Sequence, residues 1–361
     1  MQIIKTEQLK KGMVPTVPVV TKSGQLIVNE GVLLTDPLIS RIKFYNINSI
    51  QIQDYEETDS APSENISEPT YLERIKGYAE FQNFQSDYIQ SVRKLKTILA
   101  EAAADNGRLD TDYVYQTIEP LLAKVSISFE VFNILHTMPT TEDSIYAHSL
   151  NVALISSMLG RWLKLSDRDL ETLAVSALLH DIGKLKIPAQ VLDKPEKYTD
   201  QEHVLVKKHP AFGYLLLLPY TQLNPHIKNA ALMHQERCDG SGYPQKLKGN
   251  EIDWFAQIIA IADVYDAMTA ARSYRAPICP FKVIADFEND GLQKYNPKFI
   301  LTFLEGIAYT YQGSRILLSD GRDANIIMLN KQFLSKPIVQ VADGTCIDLS
   351  RTPELYIKSL L

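Results

Sequence analysis

A mainly helical fold with a small β-rich module at each end is predicted by three features of the 361-residue sequence. Apolar residues recur at helical spacing through most of residues 71–310. Both ends instead carry short β-branched runs cut by Gly-containing turns, and an acidic stretch bearing Ser and Pro divides the first end from the helical body. At 45% hydrophobic and 22% charged, the chain has the balance of an ordinary globular protein, and its length calls for two or three domains.

In chain order, residues 1–53 read as the N-terminal β-rich module. Its strands are joined by turns at Ser23-Gly24 and Glu30-Gly31, a helix starts at Thr35-Asp36-Pro37, and alternating apolar positions return from Ile47 to Ile52. Residues 54–70 form a linker with six acids, no Lys or Arg and no apolar periodicity, so burial cannot offset its ordering entropy. A helical connector spans 71–125. Within it Phe84, Tyr88, Val92, Leu95 and Leu99 make one stripe, to be covered either by the following domain or by a second copy of the chain. A homodimer through the 71–104 helix therefore stands beside intramolecular packing. Residues 126–310 are helical by pattern, with capping boxes marking helix starts at Ser166–Asp169 and Thr199–Glu202. Residues 311–361 return to short runs (RILL, NIIML, PIVQVA) separated by Ser319-Asp320-Gly321 and Asp343-Gly344, and read as the C-terminal β-rich module.

Composition narrows the function. The longest apolar stretches, Leu215–Leu218 and Ile258–Ala262, are too short to cross a bilayer. The first residues lack the apolar core and cleavage site of a secretion signal, so a cytoplasmic protein with no membrane partner is expected. Three widely spaced cysteines, Cys238, Cys279 and Cys346, support neither a disulfide framework nor a thiolate metal site. The net charge of −6 equals the charge of the linker alone, which leaves no basic excess for duplex nucleic acid.

The chemistry lies in six residues. His148, His180, Asp181, His209, His234 and Asp263 follow one another at intervals of 32, 1, 28, 25 and 29, each about one helix and one loop apart. Leu170, Leu173, Ala174, Ala177 and Leu178 form a buried helix face that ends in His180-Asp181, with Gly183 as the helix terminator. Ile227, Ala230, Ala231 and His234 share a second such face. Asp263 follows Phe255, Ile259 and Ala262 on the stripe of a helix from about Asp253 to Ala270. A lone His-Asp pair more often caps a helix or faces water, and a lone buried Asp more often sits in a salt bridge. Four histidines and two aspartates on separate helices point instead to a metal. Imidazole and carboxylate without thiolate suit iron, manganese, nickel or zinc, and an aspartate between two ions can bridge them. Such a pair clamps both attacking and leaving oxygens at phosphorus and favours phosphoester hydrolysis. His136, His203 and His226 read as surface or packing residues.

Four ordered segments carry a family likeness: HDIGK (180–184), KKHPAFG (207–213), HQERCDGSGYP (234–244) and IADVYDAMTAARSYR (261–275), preceded by YAHSLNVA with His148. Together they resemble the HD-GYP family over about 130 residues. The resemblance implies a helical HD-superfamily core with two divalent ions, iron or manganese, that hydrolyses cyclic di-GMP to pGpG and in some members onward to GMP. By that likeness His148, His180, Asp181 and Asp263 hold one ion, and Asp181 bridges to a second held by His209 and His234. Lys184 faces the scissile phosphate, Arg272 and Arg275 lie near the substrate's phosphates, and the loop with Gly240 and Tyr243 lies beside the substrate. Two departures are visible. Gln235 stands where the family usually has a second adjacent histidine, offering an amide oxygen as a weaker ligand. Ser144 stands where some members place a third-ion glutamate, with Glu142 and Asp143 displaced toward the N-terminus.

Overall fold

The computed structural model describes residues 79–104, 107–125, 144–194, 196–270 and 278–361, together with Phe132, Leu135 and most of residues 2–53. The expectations at Ser23-Gly24, Thr35-Asp36-Pro37, the 54–70 linker, residues 71–78, His136, Glu142, Asp143, Arg272 and Arg275 fall outside the described residues. The chain divides into two compact units, 1–68 and 69–361.

In the first unit β1 (Gln2–Lys5) pairs antiparallel with β4 (Ser49–Ile52), and β2 (Val19–Val20) with β3 (Leu26–Val28). Side chains alternate across a strand, so Ile50 and Ile52 both point inward. They join Leu9, Met13, Leu34 and Ile42 in a small core of this unit's own.

The second unit begins with α1 (Ala79–Ala103), followed by α2 (Thr111–Tyr115), α3 (Glu119–Val125), α4 (Ser144–Trp162) and α5 (Asp167–Leu179). Ser166 caps α5 by accepting from the Asp169 N–H at 3.2 Å. A 3₁₀ turn (Ile182–Lys186) leads to α6 (Ala189–Leu192), α7 (Asp200–Val206), α8 (His209–Leu217) and α9 (Pro225–Met233). Next come α10 (Trp254–Thr269), α11 (Pro280–Lys294) and α12 (Pro297–Thr310). Every residue of α10 from Phe255 to Asp263 is buried, as befits a helix that is apolar on all sides, and it packs on α4 and α9. The α1 stripe of Phe84, Tyr88, Val92, Leu95 and Leu99 is also buried, with α1 against α3, α4 and the 3₁₀ turn. The chain covers that stripe itself, the first of the two covers that the sequence allowed.

Five antiparallel strands complete the unit: β5 (Arg315–Leu318), β6 (Asp323–Met328), β7 (Ile338–Val341), β8 (Cys346–Asp348) and β9 (Ile357–Leu360), in spatial order β8-β7-β6-β5-β9. Their inward residues, among them Ile316, Leu318, Ile326 and Val339, belong to the same core as the helices.

Candidate metal centre

Each candidate ligand is held at the end or on the buried face of a helix. His180 is the C-cap of α5, His234 the C-cap of α9, and His209 the first residue of α8. All three imidazoles are aimed by one device. Nδ1 donates to a main-chain carbonyl three or four residues back: Ala177 O at 2.6 Å for His180, Val206 O at 2.7 Å for His209, and Ala230 O at 3.1 Å for His234. With the Nδ1 proton committed, each Nε2 presents a lone pair to the interior. His148 on α4 uses a carboxylate instead, its Nδ1 lying 2.6 Å from Asp266 Oδ2.

Asp181 lies at the middle. Its Oδ2 is 3.3 Å from His180 Nε2 and 3.6 Å from His148 Nε2, while its Oδ1 is 3.3 Å from His209 Nε2 and 3.6 Å from His234 Nε2. Asp263 Oδ1 closes the first side at 3.0 Å from His148 Nε2. Two groups thus have donor atoms within metal-ligating range of one another, His148/His180/Asp263 and His180/Asp181/His234. All the residues in them are buried.

The polar accounting fits a cation. His209 Nε2 and His234 Nε2 lie 3.0 Å apart with both Nδ1 protons already donated, so two lone pairs converge where only a proton or a metal can reconcile them. Burial pushes the His209 imidazolium down to about 3 and lowers that of His234 as well, which keeps both rings neutral. His180 Nε2 and Asp181 Oδ1 are buried and make no well-formed hydrogen bond among the described residues. Burial opposes ionisation of Asp181, yet the ammonium of Lys184, with Nζ 2.5 Å from Oδ2, holds its carboxyl well below the usual carboxylate range. At His148 burial is likewise outweighed, by Asp263 and Asp266, which raise its imidazolium to about 9.

At Gln235, Nε2 donates to Asp263 Oδ2 at 2.8 Å, an orientation dictated by a carboxylate that can only accept. The side chain thus meets Asp263 through its amide N–H.

The 239–244 loop flanks the histidines, and Tyr243 meets the His209 ring edge-on at 6.4 Å while Lys207 Nζ sits 5.4 Å from the Tyr243 ring centre. Glu236, buried and not singled out from the sequence, fastens the loop by accepting from the N–H groups of Gln245 (2.7 Å) and Leu247 (3.1 Å). Gly242 is required by close approach, because a Cβ there would fall 2.4 Å from Glu236 Cα. Gly240 takes a left-handed backbone at φ +82°. Sequence reasoning also passed over Asp266 and Asn151. A signal for Asp266 existed, since it lies one helical turn beyond Asp263. Of the three histidines set aside, His203 is exposed, and His226 bonds Asp253 at 2.7 Å while stacking on Phe255.

Helical packing around a His/Asp cluster defines the class, and the comparisons agree. A family model described as an HD domain matches residues 135–299. The HDIGK and GSGYP segments both lie within that match and are similar to those of the HD-GYP family. It is 31% identical over 234 residues to a cyclic di-GMP phosphodiesterase of Pseudomonas aeruginosa, covering 64% of this chain and 56% of that protein. A cyclic di-GMP phosphodiesterase of Thermotoga maritima is 32% identical over 62% of this chain and 58% of its own length. The 3'3'-cGAMP-specific phosphodiesterase 2 of Vibrio cholerae is 32% identical over 48% of this chain and 34% of its own. The chain thus spans little more than half the length of the first two relatives. No described helix is long and apolar enough to cross a membrane.

Proposed function

We propose that this chain is a cytoplasmic, metal-dependent phosphodiesterase that hydrolyses cyclic di-GMP to pGpG, with GMP as the product of any second cleavage. The observation that supports the reading best is the convergence of His209 and His234 Nε2 lone pairs at 3.0 Å beside one oxygen of Asp181, while the other oxygen faces His148 and His180. His148, His180, Asp181 and Asp263 would hold one ion; Asp181, His209 and His234 would hold the second. Neutral imidazoles and carboxylates suit manganese or iron. Such ions supply Lewis-acid charge at the phosphodiester and lower the pKa of water.

The chain's own groups do the rest. Lys184, beside Asp181, offsets charge on the phosphoryl oxygens, and Arg272 and Arg275 would add positive charge for the phosphates. Gly240 and Tyr243 shape the wall that receives the nucleotide. Protein loaded anaerobically with manganese or iron should convert cyclic di-GMP to pGpG, with 3'3'-cGAMP run beside it to decide between the substrates named for the relatives. Absence of turnover on either, with both metal positions demonstrably filled, overturns the proposal.

One observation favours a second reading. Gln235 spends its amide N–H on Asp263 and replaces a stronger ligand, so the second ion is held by fewer charged or basic donors. In that case the domain acts as a cyclic di-GMP receptor or scaffold. Tight nucleotide binding without turnover, converted to turnover by Gln235→His, would select it.

A further inference from the structure

Outside the ligand set, one buried hydrogen-bond chain runs from the centre to a helix that lies beyond the matched HD segment. His148 Nδ1 lies 2.6 Å from Asp266 Oδ2, Asp266 Oδ1 accepts from Asn151 Nδ2 at 2.8 Å, and Asn151 Oδ1 accepts from the Tyr88 hydroxyl at 2.7 Å. Tyr88 is on α1, whereas the HD match begins at residue 135. All four side chains are buried.

The polarity of the chain is fixed by chemistry. A carboxylate only accepts, so Asn151 turns its NH₂ toward Asp266 and its carbonyl oxygen away, and that oxygen is met at 2.7 Å by the Tyr88 hydroxyl, which also lies 3.3 Å from Ala147 O. Asp266 also accepts the hydrogen bond of the His148 Nδ1–H, leaving Nε2 to face Asp263 and Asp181. Each link sets the orientation of the next. Without the hydroxyl, a buried amide oxygen has lost its donor, and the Asn151 amide is held against Asp266 by one bond instead of two.

We propose that Tyr88 is a positioning residue of the centre, fixing the His148 ring angle through Asn151 and Asp266, so that α1 is a working part of the domain. The proposal rests on the reading of His148 as a ligand only for its effect on metal affinity; its effect on the imidazole is read without any metal.

The test uses the full chain, ¹⁵N-labelled at histidine. In metal-free protein the strongly bonded His148 Nδ1 proton should give a downfield resonance, assigned by its loss in Asp266→Asn. Tyr88→Phe, which keeps the ring in its packing beside Phe84, should shift or broaden that resonance. It should also weaken manganese binding by roughly tenfold, the lower end of the loss expected for outer partners of a ligand. In an Asn151→Ala background the same substitution should change neither further. Phe81→Leu, two turns away on the same helix and purely apolar, should lower the melting temperature yet leave the resonance and the affinity in place. An unchanged Nδ1 signal in Tyr88→Phe, or equal effects of Phe81→Leu and Tyr88→Phe on it, overturns the proposal. Wild-type protein that takes up no metal would sink the metal reading instead, and the resonance would still decide the role of Tyr88.

Discussion

Asp181 carries the electrostatic burden of the centre, because four imidazoles and one ammonium converge on its two oxygens. Asp181→Asn keeps the shape and removes the charge. It should reduce metal affinity by more than about 100-fold, beyond the usual cost of losing an outer partner, as measured by calorimetric titration with manganese. If the proposed pair of ions is held, His234→Ala should halve the metal content measured by elemental analysis, leaving the set around His148 filled. Asp181 and His234 were legible as candidates because each lies at the end of an apolar helical face, which tells where a side chain points. Gly183 was legible only as a helix terminator. Its real constraint is distant: a Cβ at Gly183 would lie 2.0 Å from His209 O and 2.3 Å from Gly213 N, where the 3₁₀ turn meets α8. Neither atom can yield as a flexible side chain could, so Gly183→Ala should destabilise by about 3 kcal/mol or more and separate Asp181 from His209. Denaturant unfolding reads the first effect and metal titration the second. No local pattern reveals a contact between residues 26 apart, which is also why Asn151 went unnoticed.

At the level of elements, α7 owes its start to a complete capping box: Glu202 N–H donates to Thr199 Oγ1 at 3.3 Å and Thr199 N–H donates to Glu202 Oε2 at 2.7 Å. This was readable in advance because the capping box is a local pattern, four residues long. Thr199→Ala should cost about 1 kcal/mol by denaturant unfolding. The Thr199 N–H and the Lys194 ammonium hold the Glu202 carboxyl below its ordinary value of 4.5. The contribution of Glu202 is therefore present above that pH and lost as the pH falls through the lowered value, so the cost of Glu202→Gln should shrink in acid. The α1 stripe shows the opposite limit. Periodicity revealed the stripe but not its cover, because a helix facing a neighbouring domain and a helix facing a second copy carry the same pattern. Since the cover is α3, α4 and the 3₁₀ turn, Leu95→Ala should cost about 2–5 kcal/mol without changing the oligomeric state seen by light scattering.

Across the whole molecule, the two β-rich ends look alike in sequence and differ in how they are buried. Both show alternating runs and Gly-containing turns, because those features report only that a strand has one dry face. They do not report which core the dry face joins. In the first unit Ile50 and Ile52 close on Leu34 and Ile42, a core assembled within residues 1–68. At the other end Ile316, Leu318, Ile326 and Val339 join the core that includes Phe303, Ile307 and Tyr311. α12 is in turn part of the helical packing around α4 and α10, from which His148 and Asp263 project. Removing the two ends should therefore have unequal consequences. A chain lacking residues 1–68 should keep its metal affinity, whereas a chain ending at Gln312 exposes an apolar face of the helical core and should lose cooperative unfolding and metal binding together. Calorimetric unfolding of the two truncations, with and without manganese, distinguishes the cases. Equal tolerance of both deletions would mean that the C-terminal sheet merely rests on the helices and that the core as drawn is two cores.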